Sequence, residues 1–335
     1  MRVSGRIVAM PLAERFTIAR GAQDVAEVVH VAVEHDGEVG WGEAAPIDRY
    51  DESPASALAF VEAAELGGDP FALDEIEARL AERPGEYAAK AAIDAALHDL
   101  CGKLAGVSVW RLLGHRRLGP PTSWTIPLDD PDAMARKAER TGAPFQRLKL
   151  KLGGADGLDV ERVRAVCSVT RVPMQVDVNE WWTLDQAVDA LPQLAGLGVE
   201  YCEQPLPAGD PDGPELKRRS PLPLFVDEDC HTLADVAPCA ERAHGITLKL
   251  AKSGGIREAV RMAHAARALG LGVMLGCMLE SGLGIAAAAQ MASLCDHVDL
   301  DGNVLLARDP WPGVELSDGV QLPSDAPGLG VTRRD

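Results

Sequence analysis

The sequence predicts an α/β fold: a parallel β/α barrel preceded by a smaller α+β unit. Two observations carry this. Lys151, Asp177, Glu203 and Asp227 each close a short apolar run (R-L-K-L-K, Q-V-D, V-E-Y-C-E, L-F-V-D), and they follow one another at steps of 26, 26 and 24 residues. A strand, a turn, a crossover helix and a return loop need roughly 30 residues. Charged side chains recurring at that period therefore end successive parallel strands and meet at the C-terminal mouth of a barrel, where such folds keep their chemistry. The second observation is the order of patterns before residue 120, strand-like alternation followed by helical periodicity, which marks a separate α+β unit.

In chain order, R-I-V-A-M-P-L is a first candidate strand, and V-V-H-V-A-V-E-H-D-G-E-V-G-W-G-E holds two more, joined at Asp36-Gly37, a strong hairpin signal. Ser53-Pro54 has the form of a helix N-cap with proline in the first turn. A helix is predicted over about 88–103, where Ile93, Leu97, Leu100 and Leu104 recur at helical spacing and make one buried stripe. Pro120-Pro121 marks the boundary. Beyond it, strands are predicted near 122–127, 147–151, 174–178, 199–203, 223–227, 246–250, 272–276 and 297–301. Helical runs 156–169, 184–197 and 256–269 lie between them, and the last crossover, 282–294, is rich in alanine. The tail from Pro310 has no helical period and is expected to run back over the N-terminal unit.

Composition narrows the function. A formal charge of −18 with pI near 4.9 disfavours nucleic acid and anionic membranes, whose phosphates call for a basic surface. Seven scattered cysteines without a C-x-x-C pair suit a reducing cytoplasm rather than disulfides or zinc. The N-terminus lacks a secretory apolar core, and no stretch approaches the roughly 18 apolar residues of a membrane span.

Asp177, Glu203 and Asp227 end three consecutive strands with no His or Cys among them. Converging carboxylates repel unless a cation joins them, and an all-oxygen set suits Mg²⁺. Lys149 and Lys151 stand two apart, hence on one face of the preceding strand, and Lys249 ends the strand that follows Asp227. A divalent ion stabilises charge developing on a carboxylate as its α-proton leaves. A lysine whose pKa is lowered by a neighbouring ammonium can act as the base near neutral pH. A second lysine on the opposite face can return the proton, which gives racemisation or epimerisation.

The motifs K-L-K (149–151), D-V-N (177–179), E-Q-P (203–205), D-E (227–228) and L-K-L-A-K-S-G-G (248–255), with the helix A-A-I-D-A-A-L-H-D-L-C-G-K-L-A-G (91–106), resemble the enolase superfamily and its muconate-lactonising subgroup. The resemblance spans nearly the whole chain. It implies a modified TIM (β/α)7β-type barrel over 119–311, with an α+β capping domain over 1–118 joined by the tail 312–335. It also implies that Asp177, Glu203 and Asp227 bind Mg²⁺ and that Lys151 and Lys249 are the acid/base pair. Lys149 would assist Lys151 and touch the substrate carboxylate. A Lys or His base working with Mg²⁺ is that superfamily's pattern.

Within the subgroup, the chain is similar to the dipeptide epimerases, chiefly those acting on L-Ala-D/L-Glu in peptidoglycan turnover. Asp299 and Asp301 in D-L-D would hold the dipeptide's ammonium. Arg20 in F-T-I-A-R-G-A, beside the loop P-I-D-R-Y-D-E-S, would hold the side-chain carboxylate of a C-terminal Glu, a task suited to a bidentate guanidinium. Met278 and Glu280 in G-C-M-L-E-S complete the expected substrate-binding set. Asp229 departs from the serine common in relatives and is expected to add negative charge beside the metal. The expected partner is a small dipeptide, with no nucleic acid and no membrane, and a homo-oligomer stays open. N-succinylamino-acid racemase, o-succinylbenzoate synthase and muconate cycloisomerase chemistries are the alternatives at the same centre. A non-catalytic binding protein on the same barrel is the alternative from another class.

Overall fold

The structure is a computed structural model that describes residues 1–140 and 145–334. Residues 141–144 and Asp335 lie outside it, and with them four positions of the expected barrel and the last of the expected tail.

The chain opens with a three-stranded antiparallel sheet, β1 (Arg2–Ile18), β2 (Gly21–His35) and β3 (Glu38–Ala44), in the order β1-β2-β3. Asp36 and Gly37 both adopt positive φ at the β2–β3 turn, as an Asp-Gly hairpin requires. Helices α1 (Pro54–Glu62), α2 (Leu73–Ala81), α3 (Tyr87–Ala105) and α4 (Val109–Leu112) follow. Ser53 caps α1 through a reciprocal box with Ser56, with Pro54 in the first turn.

Helix α3 is buried on more than the stripe read from its leucines. Its alanines 88, 89, 91, 92, 95 and 96 are covered as well, because the helix is sandwiched between the sheet and the barrel. The sheet comes so close that a Cβ on Gly40 or Gly42 would lie 2.0 Å from the carbonyl oxygens of Ala96 and Ala92 respectively.

After a short connection, eight parallel strands form one sheet: β4 (Ser123–Ile126), β5 (Arg147–Lys151), β6 (Met174–Asp177), β7 (Val199–Glu203), β8 (Leu224–Val226), β9 (Gly245–Leu248), β10 (Gly272–Gly276) and β11 (His297–Asp299). Each pairs with its neighbour in sequence. The ring closes through a Thr122–Val298 bridge, and Thr122 Oγ1 accepts the Leu300 N–H at 2.7 Å. Around it lie α5 (Pro131–Arg140), α6 (Asp159–Val169), α7 (Leu184–Gly196), α8 (Gly213–Arg219), α9 (Leu233–Arg242), the single turn α10 (Leu250–Ser253), α11 (Ile256–Ala268) and α12 (Gly282–Ala289). The alanine-rich α12 is buried along its whole length. The tail forms a hairpin, β12 (Glu315–Ser317) with β13 (Val320–Leu322), that the helical-period reading did not contain. Trp311 packs on Trp41 and His30 of the N-terminal sheet, and Leu329 donates its N–H to Asp99 on α3.

Candidate active site

In an eight-membered ring, strands four steps apart face one another. Lys151 ends β5 and Lys249 follows β9, so the two lysines approach from opposite sides. Asp177, Glu203 and Asp227 end or follow β6, β7 and β8 and occupy one arc between them, with Asp177 and Glu203 directly paired in register. Asp299 and Asp301 end or follow β11, opposite β7. A cavity of about 130 Å³ collects Lys149, Lys151, Lys249, Asp227, Asp299 and Asp301 in its lining. Arg20 and Tyr50 line it from the N-terminal unit, and Met278 from the segment after β10. A second groove at the β1–β2 tip shares Phe16, Ile18, Arg20, Gln23 and Ile47 with the cavity.

The carboxylates Asp177, Glu203 and Asp227 are buried to 0 %, 0 % and 2 % exposure. Ammonium groups stand among them. Lys149 Nζ lies 3.1 Å from Asp177, 2.6 Å from Glu203 and 2.7 Å from Asp299. Lys151 pairs with Asp177 at 2.6 Å, and Lys249 with Asp227 at 2.7 Å. Lys149 is close to Glu203 but off the direction of a hydrogen bond, so both Glu203 oxygens are buried without a hydrogen-bond partner. As they stand, no three His, Cys, Asp or Glu side chains among the described residues are gathered tightly enough to grip an ion, since lysines sit between the carboxylates.

The pairings set the charge of two of the lysines. Burial works against the charge of Lys149, but Asp299, Glu203 and Asp177 outweigh it and hold its pKa well above the ordinary value. Lys249 is raised in the same way, burial being outweighed by Asp227. Asp177 is held low against its burial by Lys151 and Lys149, and Asp227 by Lys249 and Lys252. At Lys249 the Lys149 ammonium acts in the opposite sense, and Asp227 outweighs it as well.

Lys252, on α10, escaped the sequence reading. Its ammonium is 1 % exposed and donates to the Asp227 carboxylate at 2.6 Å and to its backbone carbonyl. Only the second lysine in L-K-L-A-K, one helical turn beyond Lys249, signalled it. Gln204 was quoted in E-Q-P without a role. Its Oε1 accepts the N–H groups of Asp227 and Glu228, and its Nε2 donates to Asp229, so it holds the end of β8 in place. Asn179, Glu180 and Gln204, all just past strand ends, carry positive φ, the local strain that functional loops often hold.

Three expected residues sit differently from their reading. Asp229 turns away from the carboxylate arc and pairs with Arg242 at 3.1 Å while accepting the Gly209 N–H, so it braces the loop rather than charging the site. Glu280 does not line the cavity. It folds back to accept the Met278 N–H at 2.9 Å, and burial together with nearby Glu43 pushes its carboxyl up to about 8. Arg20 lines the cavity but spends one nitrogen, Nη1, on Glu228 at 2.7 Å, Glu180 at 3.0 Å and the Asn179 carbonyl at 3.1 Å. Its Nε and Nη2 donate to no protein acceptor among the described residues. Asp299 keeps Oδ1 buried and without a partner, and Asp301 accepts the Thr125 N–H at 2.6 Å, its carboxyl raised to about 7 by burial and by Asp299.

Residues 3–114 match the mandelate racemase/muconate lactonizing enzyme N-terminal domain, and residues 132–335 match the enolase C-terminal domain-like family. The chain belongs to the enolase superfamily. Among its superfamily relatives, the L-Ala-D/L-Glu epimerase of Bacteroides thetaiotaomicron is 38 % identical over 95 % of this chain and 84 % of that protein. The hydrophobic dipeptide epimerase of a Flavobacteria bacterium is 39 % identical over 96 % and 95 %. The crystal structure of the Enterococcus faecalis dipeptide epimerase, complexed with Mg and L-Leu-L-Tyr, superposes with a TM-score of 0.93 at 31 % identity, covering 99 % of each chain.

Proposed function

We propose that the protein is a Mg²⁺-dependent dipeptide epimerase, an isomerase that moves the α-proton of the C-terminal residue of dipeptides such as L-Ala-L-Glu and L-Ala-D-Glu. The observation that carries this reading is the layout around the ring. Buried carboxylates fill one arc, an unpartnered Asp299 oxygen waits on the opposite arc, and Lys151 and Lys249 face each other between them. A molecule with a carboxylate at one end, an ammonium at the other and an acidic C–H in the middle fits that layout, and a free dipeptide is such a molecule.

Asp177, Glu203 and Asp227 would hold Mg²⁺. Three buried oxygen donors without nitrogen or sulfur suit a hard cation, and Glu203, with neither oxygen hydrogen-bonded, has donor capacity to give. When bound, the ion neutralises charge that builds up on the substrate carboxylate as the proton leaves. Lys151 and Lys249 exchange the proton on opposite faces of the α-carbon: the lysine facing it takes it as the free amine, and the other delivers its own proton as the ammonium. Lys149 orients the carboxylate end, and Asp299 and Asp301 receive the α-ammonium. Arg20 offers Nε and Nη2, the edge its protein partners leave open, to an anionic side chain. Residues 1–118 with 312–335 would supply the cap that shapes this side-chain site, and 119–311 the reacting groups. The seven thiols, none in a disulfide, fit a cytoplasmic enzyme of peptidoglycan turnover.

In D₂O with Mg²⁺, L-Ala-L-Glu gains α-deuterium and loses optical purity, chelation abolishes both, and added Mg²⁺ restores them. Asp299→Asn lowers kcat/KM on dipeptides about 10²-fold, the scale of losing one partner of a buried charged contact. An N-acylated amino acid, which has no ammonium, would not sense that change. Folded protein that exchanges no dipeptide ends this reading; N-acyl activity indifferent to Asp299 replaces it with the racemase alternative.

A further inference from the structure

The segment between β10 and α12 forms part of the cavity wall, with Cys277, Met278 and Leu279 in the lining. It also presses on the residue after Asp301: a Cβ on Gly302 would lie 2.5 Å from the Met278 carbonyl and 2.9 Å from the Glu280 nitrogen. Where this wall stands therefore bears on both substrate contact and the Asp299–Asp301 pair.

The far end of the segment is held from outside the barrel. Ser281 caps α12 and donates its N–H to Glu43 Oε1 at 2.7 Å and its hydroxyl to Glu43 Oε2. Glu43 lies on β3 and sits opposite His30 of β2 in the ladder, and the two side chains have 0 % exposure. His30 Nε2 is 3.0 Å from Glu43 Oε2, while Trp311 Nε1, from the tail, donates to His30 Nδ1 at 3.3 Å. An indole nitrogen can only donate, so Nδ1 must accept and the single ring proton sits on Nε2, aimed at Glu43. The carboxylate thus accepts from three donors, and the Glu280 carboxyl stands close enough to feel its charge.

We propose that Glu43 is a positioning residue of the active site: it fixes the 277–281 wall through Ser281, and the His30 tautomer that Trp311 imposes keeps its carboxylate turned to that task. The chemistry is specific to a carboxylate. A glutamine at 43 brings an NH₂ group that meets either the Ser281 donors or the His30 Nε2–H. The ring cannot reverse its tautomer to accept, because Nδ1–H would then confront the Trp311 N–H.

The test is a rescue. Glu43→Gln lowers kcat/KM on the best dipeptide about 10²-fold, the scale of a small misplacement of the reacting groups. Adding Trp311→Phe removes the opposing donor and frees the ring to reverse, and the double variant regains roughly 10-fold of that loss, in line with the scale of second-layer effects. A purely structural role predicts the opposite, since trimming a 1 % exposed tryptophan can only loosen the core further. Folded Glu43→Gln with wild-type kcat/KM, or a double variant no better than the single, overturns the proposal. Should Glu43→Gln not fold, ¹⁵N-histidine NMR of the wild-type protein decides: a buried neutral ring protonated at Nε2 is expected, and an imidazolium or an Nδ1–H ring overturns it. The activity arms rest on the dipeptide-epimerase reading. Wild-type protein without any exchange removes that reading, whereas active wild type beside an unaffected Glu43→Gln removes this inference alone.

Discussion

Lys151 and Lys249 stand on opposite sides of the barrel axis, and that makes their single variants distinguishable. If each serves one face of the α-carbon, Lys151→Ala and Lys249→Ala both lose epimerisation by about 10³-fold, within the range of a general base removed. Each keeps the ability to wash deuterium into the one C-terminal configuration whose proton faces the surviving lysine. Mass-detected exchange on L-Ala-L-Glu and L-Ala-D-Glu reads this directly. Two variants that exchange the same configuration, or either one that epimerises at the wild-type rate, would rule out a two-lysine site. At this scale the sequence was most informative where a charge closed an apolar run: Lys149, Lys151, Asp177, Glu203, Asp227, Lys249, Asp299 and Asp301 all line or underlie one cavity. It was least informative where a side chain had more than one direction to turn. Nothing local separates Asp229, which leans out to Arg242, from Asp227 two residues earlier. Glu280 likewise reads as a wall residue until its carboxyl is seen to fold back on Met278.

Elements were legible in proportion to how local their causes are. The strand rhythm of the barrel follows from short apolar runs covered on both faces, and the β2–β3 hairpin from Asp36-Gly37, so both could be read directly. The burial of α3 all round could not, because it depends on what lies on its far side. Nor could the β12–β13 hairpin, three residues a strand, too short for alternation to register. The same contact that hid α3's second buried face gives a sharp expectation. Gly40 and Gly42 let β3 touch the helix backbone, and a methyl at Gly42 falls 2.0 Å from the Ala92 carbonyl oxygen. Strand and helix backbones have no rotamer with which to yield, so Gly42→Ala should cost about 3 kcal/mol, the upper end for overpacking. Urea unfolding measures it. Gly37→Ala, where nothing lies within 4 Å of the added Cβ but φ is +84°, tests strain without a clash and is expected to cost less. A Gly42→Ala protein as stable as wild type would mean that α3 can slide off the sheet at little cost.

Across the whole molecule, the N-terminal unit is tied to the barrel by guanidinium–carboxylate contacts as well as by apolar packing. Arg257 and Arg261 of α11 reach Glu77 on α2, and Arg20 and Arg49 of the cap converge on Glu180 beyond β6. Hydrogen bonds from Arg261 and Arg257 hold the Glu77 carboxyl below its ordinary value. Against burial, Arg49 does the same for Glu180. A carboxylate depressed in the folded state contributes stability above its unfolded pKa, about 4.3, and loses that contribution as the pH falls through the lower native value. The cap's attachment is therefore complete at neutral pH and weakens on acidification below that point. The effect is shared with every other paired carboxylate, so it must be isolated by difference. Thermal midpoints of wild type and of Glu77→Gln/Glu180→Gln, followed by tryptophan fluorescence from neutral pH down to about pH 3, should converge as acid removes from the wild type what the substitutions have already removed. Both contacts are part-exposed and screened by salt, so the gap at neutral pH narrows as ionic strength rises. Curves that stay parallel through the acid limb would assign the pH dependence to other groups and leave the cap held by packing alone.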